Sequence, residues 1–346
     1  MKAVVFYGPG DMRVEEREIP QPNEEEILIK MKACAICGTD VRIYSFGQAN
    51  VKPPQIIGHE IAGVISKVGS KLKDFKEGDK ITLVTAVGCG KCRYCLEGRV
   101  NLCHNIKPIG YYYSGGFAEY MIVPAKAIRQ GSILKIPEGL SFNEATLAEP
   151  LSCCINGQEY LNIGLGDRVV IVGTGPIGCM HAELAKVSGA TKIILADISA
   201  ERLKLAKVVE ADVYINSEKE DLVKRVLEET QGDGADVVIT ACPSPQAQAQ
   251  ALSMTAIRGR ISFFGGLPHG KSKIDFDSNI IHYREISVHG AFASHHLQYQ
   301  KALDLFVSGR IKASKFITHQ FPLKDLVRGI EMIKEGKALK VVVVMN

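Results

Sequence analysis

The segment "CGKCRYCLEGRVNLC" sets Cys89, Cys92, Cys95 and Cys103 at C-x2-C-x2-C-x7-C spacing. Four thiolates so close together can enclose one tetrahedral ion, and each C-x2-C turn lets two of them reach it from one tight loop. Zinc fits that pattern. A ferredoxin-type iron–sulfur run is the rival, but it closes after three residues and is followed by proline. Here seven residues precede Cys103 and His104 follows it. A disulfide frame belongs to oxidising compartments, and clustered cysteines in a reduced protein read better as metal ligands or catalytic thiols. Four protein thiolates leave no open coordination position, so such an ion braces a loop and does no chemistry. The reacting centre must lie elsewhere in the chain.

Three further stretches, "ACAICGTDVRIY", "IGHEIAGVI" and "TLAEPLSCC", carry Cys37, His59, Glu60 and Glu149. Each alone has an ordinary explanation: a small packed residue in "CGTD", a satisfied His–Glu polar pair, a solvated turn at Glu149 and Pro150. Together they are soft, borderline and hard zinc donors whose set would leave one position free for water or substrate.

A third motif, "VVIVGTGPIG", has the glycine spacing of a dinucleotide fingerprint, with Gly173, Gly175, Pro176, Ile177 and Gly178. The first glycine allows the tight turn after a strand, the second lets backbone approach a pyrophosphate, and the third lets the helix pack on the strand. Pro176 suits the first turn of that helix. Asp197 closes the next apolar run, "IILAD", where a carboxylate accepts hydrogen bonds from the adenosine ribose and repels a 2′-phosphate. NAD is therefore favoured over NADP. Arg202 keeps the alternative open, since a guanidinium there could hold the phosphate.

The elements that must position these groups follow from the pattern of apolar runs. Up to about residue 150, "AVVFY", "EILIKMKACA", "EIAGVISKVG", "DKITLV" and "FAEYMIV" are separated by Gly and Pro turns and read as a mainly β domain. From residue 154 strands alternate with helical segments: "DRVVIVG", "GPIGCMHAELAKVSGA", "TKIILAD", "SAERLKLAKVVEA", "DVYIN". The runs "ADVVITA" and "GRISFFGG" continue this into a doubly wound parallel sheet of the α/β class. From residue 287 the pattern predicts a strand, helices near "LQYQKALDLFVSG" and "LKDLVRGIEMIKEG", and a last strand "KVVVVMN".

A chain of 346 residues with 46% hydrophobic and 23% charged residues can bury two ordinary cores. The net charge of +4 comes without a Lys/Arg stripe interleaved with aromatics, which argues against a nucleic-acid partner. The first apolar run breaks at Gly8 and Pro9, and no stretch approaches the roughly 20 apolar residues that cross a bilayer. A cytoplasmic protein without a membrane partner is expected.

The landmarks "GHEIAGVISKVGS", "CGKCRYC", "GGFAEY", "AEPLSC" and "VVIVGTGPIG", in this order from end to end, resemble the zinc-containing medium-chain dehydrogenases. The resemblance implies a GroES-like catalytic domain of residues 1–153 and 287–346, interrupted by a Rossmann dinucleotide-binding domain of residues 154–286. It implies two zinc ions per chain, a catalytic one at Cys37 and His59 with Glu60 and Glu149, and a structural one at the four-cysteine loop. Glu149 resembles the sorbitol and threonine dehydrogenase branch, and Thr39 stands where a hydroxyl passes the substrate proton outward. The activity implied is hydride transfer between NAD and the secondary alcohol of a polyol-type substrate (sorbitol, xylitol, a cyclitol or a sugar-alcohol phosphate) or its ketone, with L-threonine as the alternative substrate and a nonenzymatic zinc- and nucleotide-binding protein as the alternative of another class. Relatives are homodimers or homotetramers. Arg42 departs from the pattern, because relatives commonly carry histidine there to complete the proton path.

Overall fold

The computed structural model describes residues 1–268 and 270–345. The backbone gathers into two compact units, one of residues 1–152 with the chain from 293 onward, the other of residues 153–292. In the first unit β1 (Lys2–Gly8) and β2 (Asp11–Glu16) form an antiparallel ribbon. Beside it lie β3 (Ile27–Ala35), β4 (Glu60–Val68), β5 (Lys80–Leu83), β6 (Tyr120–Val123) and β7 (Ile133–Lys135). The second unit contributes β8 (Arg168–Val172), β9 (Lys192–Asp197), β10 (Val213–Asn216), β11 (Ala235–Thr240), β12 (Thr255–Phe263) and β13 (Ser287–Gly290). The chain then returns to the first unit with β14 (Ile317–Pro322) and β15 (Lys340–Val344).

The first unit's sheet has the order β14-β15-β3-β4-β5-β7, with β6 also paired to β3. Ile27, Ile29 and Met31 of β3, Ile61 and Ile65 of β4 and Val341 and Val343 of β15 are buried in one core. Each such side chain contributes roughly 1.5–3 kcal/mol by leaving water. The second unit's sheet is parallel throughout, in the order β10-β9-β8-β11-β12-β13. Its central runs are apolar without alternation, as in Val169–Val172, because helices such as Pro176–Ser188 and Pro245–Ser253 pack onto the strands. The strand order reverses between β8 and β11, a switch point at which doubly wound sheets bind ligands beyond the carboxyl ends of the strands.

Several elements differ from the expectation. The return to the first unit comes after residue 292 instead of 286, because Ser287–Gly290 pairs in parallel with Arg260–Phe263 and so closes the second sheet. The helix expected over 199–211 divides into Ala200–Leu205 and a 3-10 turn Ala206–Val209. Glu149 and Pro150, readable as a solvated turn, instead open the helix Ala148–Glu159, whose first turn tolerates a proline because its N–H groups need no helical partner. Asn346, the end of the expected last strand, lies outside the described residues. No helix among the described residues is long and apolar enough to cross a membrane.

Candidate active site and metal centres

Strand register assembles the first cluster. β3 and β4 run antiparallel with Ala35 opposite Glu60, and on the other side of β3 the antiparallel β15 sets Val342 opposite Ala35. Cys37 therefore emerges from the end of β3 between His59, just ahead of β4, and Lys340, the first residue of β15. The ligand atoms of Cys37, His59 and Glu60 lie within 4.8 Å of one another. A thiolate, an imidazole and a carboxylate so close are a borderline-metal donor set, since zinc holds such ligands at about 2.0–2.3 Å from a common centre.

Two buried charges orient these donors. The Cys37 N–H donates to Asp40 Oδ2 at 2.8 Å, and Asp40 Oδ1 faces His59 Nδ1 at 3.6 Å. One carboxylate thus fixes the backbone of one ligand and faces the ring of another at 3.6 Å, leaving His59 Nε2 for an ion. Lys340 Nζ donates to both Glu60 oxygens at 2.7 Å and to the Ile36 carbonyl at 3.2 Å. Burial alone would discharge Lys340, but the Glu60 carboxylate, with Cys37 and Glu149 nearby, holds its pKa above the ordinary value. Glu149, in the first turn of its helix, acts electrostatically on Lys340 and Tyr111 and stands outside the three mutually close donors. Thr39 is half-buried in the first turn of the helix Gly38–Phe46. Arg42 is exposed on the same helix and donates to Gln48 Oε1 at 3.0 Å.

The four loop cysteines also converge, with all sulfurs within 4.8 Å. A tetrahedron of sulfurs about 2.3 Å from one ion needs sulfur separations of about 3.8 Å, so the quartet fits zinc. None of the ten cysteines is in a disulfide. The backbone N–H groups of Lys91 and Cys92 bring the Cys89 thiol down to about 6, while burial pushes Cys95 up to about 12. The Cys89 and Asn105 N–H groups donate to Cys103 Sγ at 3.1 and 3.4 Å. The loop is moored by Gln130, whose carboxamide accepts from Gly88 N–H at 3.0 Å and donates to Gly88 O at 2.8 Å.

In the second unit β8 runs into the glycine turn, and the helix Pro176–Ser188 starts from Gly175 with Pro176 in its first turn. A Cβ on Gly178 would stand 1.8 Å from the Gly173 carbonyl oxygen, so only glycine lets helix and turn meet. A Cβ on Gly175 would meet nothing within 4 Å, leaving open room at the helix N-terminus for a pyrophosphate. Ile177 follows in the first helical turn. Asp197 Oδ2 accepts from the Thr174 N–H at 2.8 Å and hydroxyl at 3.1 Å, and its Oδ1 accepts from the Ser199 N–H at 2.9 Å. Asp197 and Arg202 both line a cavity of about 660 Å³ that also takes in Glu218, Glu220 and Asp221. Burial pushes the thiol of Cys242, also on this wall, up to about 11, which keeps it unreactive.

A family model described as the alcohol dehydrogenase GroES-like domain matches residues 23–138, and one described as zinc-binding dehydrogenase matches residues 176–308. The chain is 36% identical to a Pyrococcus horikoshii protein named L-threonine 3-dehydrogenase, over 100% of this chain and 99% of that one. It belongs to the zinc-containing medium-chain dehydrogenases. Another member, named sorbitol dehydrogenase, from Halalkalibacterium halodurans, is 34% identical over 99% of this chain and 98% of its own. A zinc-binding dehydrogenase of Sinorhizobium meliloti solved with NADP superposes with a TM-score of 0.90 at 32% identity, covering 99% of each chain. As a medium-chain dehydrogenase the chain is a zinc-dependent oxidoreductase with a GroES-like unit and a Rossmann unit.

Within this dehydrogenase, sequence reasoning missed Asp40, Lys340 and Tyr111. Asp40 had a local signal, standing three residues after Cys37 where a carboxylate can turn back on a helix start. Lys340 is a cation at the head of the apolar run "KVVVV", and a buried cation requires a buried partner. Tyr111, whose ring centroid is 5.3 Å from that of His59, had no signal within "GYYYSGG" to set it apart from its two neighbours.

Proposed function

We propose that this dehydrogenase transfers a hydride from the secondary carbinol of a polyol-type substrate, such as sorbitol, xylitol or a cyclitol, to NAD, and reduces the ketone in reverse. The observation that carries the reading is the cluster of Cys37, His59 and Glu60, with the Tyr111 ring 5.3 Å from that of His59 and Thr39 in the first turn of the helix that follows Cys37, while the cation Lys340 is committed to Glu60. A neutral polyhydroxy substrate finds matched partners there within the first unit. Zinc, when bound, supplies the Lewis acidity that lowers the pKa of a substrate hydroxyl, and the nicotinamide supplies the hydride acceptor. Cys37, His59, Glu60 and, by approach from its helix, Glu149 would hold the catalytic ion, and Cys89, Cys92, Cys95 and Cys103 a second, structural one. Asp40 and Lys340 hold the donors in place. Thr39 takes the proton from the substrate hydroxyl and hands it to water. Arg42 cannot continue that path, because a guanidinium has donors and no acceptor.

A second reading, oxidation of L-threonine at its hydroxyl-bearing carbon, is supported by the identity to the Pyrococcus horikoshii protein. The test is a panel of sorbitol, xylitol, myo-inositol and L-threonine with NAD on protein purified without chelator. Zinc analysis should give about two ions per chain by the two donor sets, and NADH absorbance should rise fastest with a polyol. A kcat/KM for L-threonine above that of every polyol would overturn the substrate.

NAD is preferred because Asp197 can accept from the ribose hydroxyls and because Glu218, Glu220 and Asp221 make the same cavity acidic toward an added phosphate. Since Asp197 also holds Thr174, its loss should weaken both cofactors, and the informative quantity is their ratio. Asp197→Ala should cut the NAD:NADP ratio of kcat/KM about tenfold, the worth of one charged hydrogen bond. A parent enzyme equally efficient with NADP would hand the pocket to Arg202. The chain acts in the cytoplasm as a homodimer or homotetramer. The edge strand β13, with Val288 exposed, offers a pairing edge for a second copy.

A further inference from the structure

We propose that Tyr111 is the specificity-determining residue of the site, its phenol hydroxyl pairing with the hydroxyl next to the reacting carbinol so that vicinal polyols are favoured over monohydroxy alcohols. The inference rests on the reading that Cys37, His59 and Glu60 form the reacting centre. "GYYYS" presents three consecutive tyrosines, and the backbone sends them different ways. Pro108 O accepts from the N–H groups of Tyr112 at 2.9 Å and Tyr113 at 3.2 Å, and Gly110 N–H donates to Tyr113 O at 2.9 Å. Gln55 Nε2 donates to the carbonyls of Tyr111 at 2.9 Å and Tyr112 at 3.1 Å, and Gln55 is itself paired through its backbone with Phe6 of β1. The turn is therefore tied to the sheet ribbon and cannot swing independently of it.

Gly110 (φ +84°) seats this turn directly on the segment that leads into β4. A Cβ there would lie 2.7 Å from the Gly58 carbonyl oxygen and 3.1 Å from His59 Cβ, so glycine permits the contact and Tyr111 follows it onto the imidazole. Tyr112 turns outward, its hydroxyl taking a hydrogen bond from Lys107 Nζ at 3.0 Å. Tyr113 stacks edge-on against Tyr112, with centroids 5.1 Å apart. Tyr111 faces His59 and lies in the field of Cys37, Asp40 and Glu149.

Among the described residues the Tyr111 hydroxyl has no hydrogen-bond partner. The hydroxyl is not sealed from solvent, so a substrate hydroxyl that displaces water from it keeps the pairing. A phenol both donates and accepts, and so does an alcohol, so a neighbouring substrate hydroxyl can complete the pair in either sense. A substrate with hydrogen at that carbon leaves the phenol unpaired, and sites built around a substrate hydroxyl discriminate strongly against analogues lacking it.

The test uses the zinc-loaded enzyme with NAD and the matched pair butane-2,3-diol and butan-2-ol, with L-threonine as a third substrate. The parent should prefer the diol in kcat/KM by about 10–100-fold, the range for one buried hydrogen bond. Tyr111→Phe removes only the hydroxyl and should collapse that preference about tenfold or more, through KM for the diol more than through kcat. Calorimetric titration of butane-2,3-diol into the enzyme with NADH should give a dissociation constant weakened by the same factor, while melting temperature and zinc content match the parent. An unchanged diol preference in Tyr111→Phe, or an equal loss on both alcohols, overturns the role of Tyr111 and leaves the polyol reading standing. A parent that oxidises L-threonine and neither alcohol overturns both.

Discussion

Cys37→Ser is expected to abolish hydride transfer in a protein that still folds, while Cys95→Ser is expected to lower the melting temperature and largely spare turnover per folded molecule. The expectation follows from how each cysteine is used. Cys37 begins the helix Gly38–Phe46 and is held by Asp40, so replacing sulfur by oxygen leaves the backbone geometry intact and changes only the donor. Loss of a soft donor where the substrate hydroxyl must be acidified should cost at least about three orders of magnitude in kcat, on the order of 4 kcal/mol of barrier. Cys95 belongs to a loop with little regular structure, a four-residue helix Arg93–Leu96 and a 3-10 turn Val100–Leu102. Such a loop would depend for order on an ion held by the quartet as well as on the Gln130 clasp. Structural zinc contributes its binding energy to folding, so a crippled quartet should melt about 5–15 °C lower. Zinc content should fall by about one ion in either variant, which separates the two sites by count as well as by function. A Cys95→Ser protein that melts like the parent yet has no turnover in its folded fraction would make the loop part of the chemistry and sink this division of labour.

What could be read in the sequence was whatever is local. The cysteine quartet occupies fifteen consecutive residues, 89 to 103, and the glycine turn lies between a strand and a helix that both announce themselves by apolar period. Strands with clear runs, such as Ile27–Ala35 and Arg168–Val172, stand where the pattern sets them. Those without runs were illegible: β2 is "DMRVEE" and β14 is "ITHQFP", polar segments that become strands only because a partner strand supplies the hydrogen bonds. The helix Gly38–Phe46 was hidden for a related reason, since "GTDVRIYSF" mixes β-branched and aromatic residues that carry no helical stripe. Residue type alone misleads as well. His181 is fully buried on the dinucleotide helix, paired with Gln158 at 3.1 Å and edge-on to Phe264, and burial drops its pKa to about 3. It is a neutral packing histidine, whereas the register of β3 and β4 sets His59 within 4.8 Å of Cys37 and Glu60, where it could hold an ion. The pairing of Glu60 with Lys340 spans 280 residues and depends on the return of the chain after the Rossmann unit, which no local pattern encodes.

That distant pair supports the second large effect. Lys340 and Glu60 are both essentially inaccessible to water, at 2% and 0% exposure, so neither charge has solvent to fall back on. Lys340→Met keeps an unbranched side chain one atom shorter and strands Glu60 as an uncompensated buried carboxylate, a change that costs about 3–5 kcal/mol in buried pairs. The metal-free protein should therefore melt about 10 °C or more below the metal-free parent. Glu60 is also one of the three donors within 4.8 Å, so an ion bound there becomes the remaining counter-charge for the carboxylate. The melting-temperature gain on adding zinc should accordingly be larger in Lys340→Met than in the parent. Adding Glu60→Gln to Lys340→Met removes the stranded charge and should return much of the metal-free stability, giving a coupling energy of about 1–3 kcal/mol in the double-mutant cycle. The double variant should nonetheless bind the catalytic zinc more weakly than the single Lys340→Met variant, because an amide is a poorer donor than a carboxylate. Equal melting shifts with and without zinc, together with additive effects of the two substitutions, would mean that Lys340 only packs the end of β15. A zinc-dependent shift with strong coupling would mean instead that Lys340 holds Glu60 charged and in position beside Cys37 and His59, where the hydroxyl of the substrate must lose its proton.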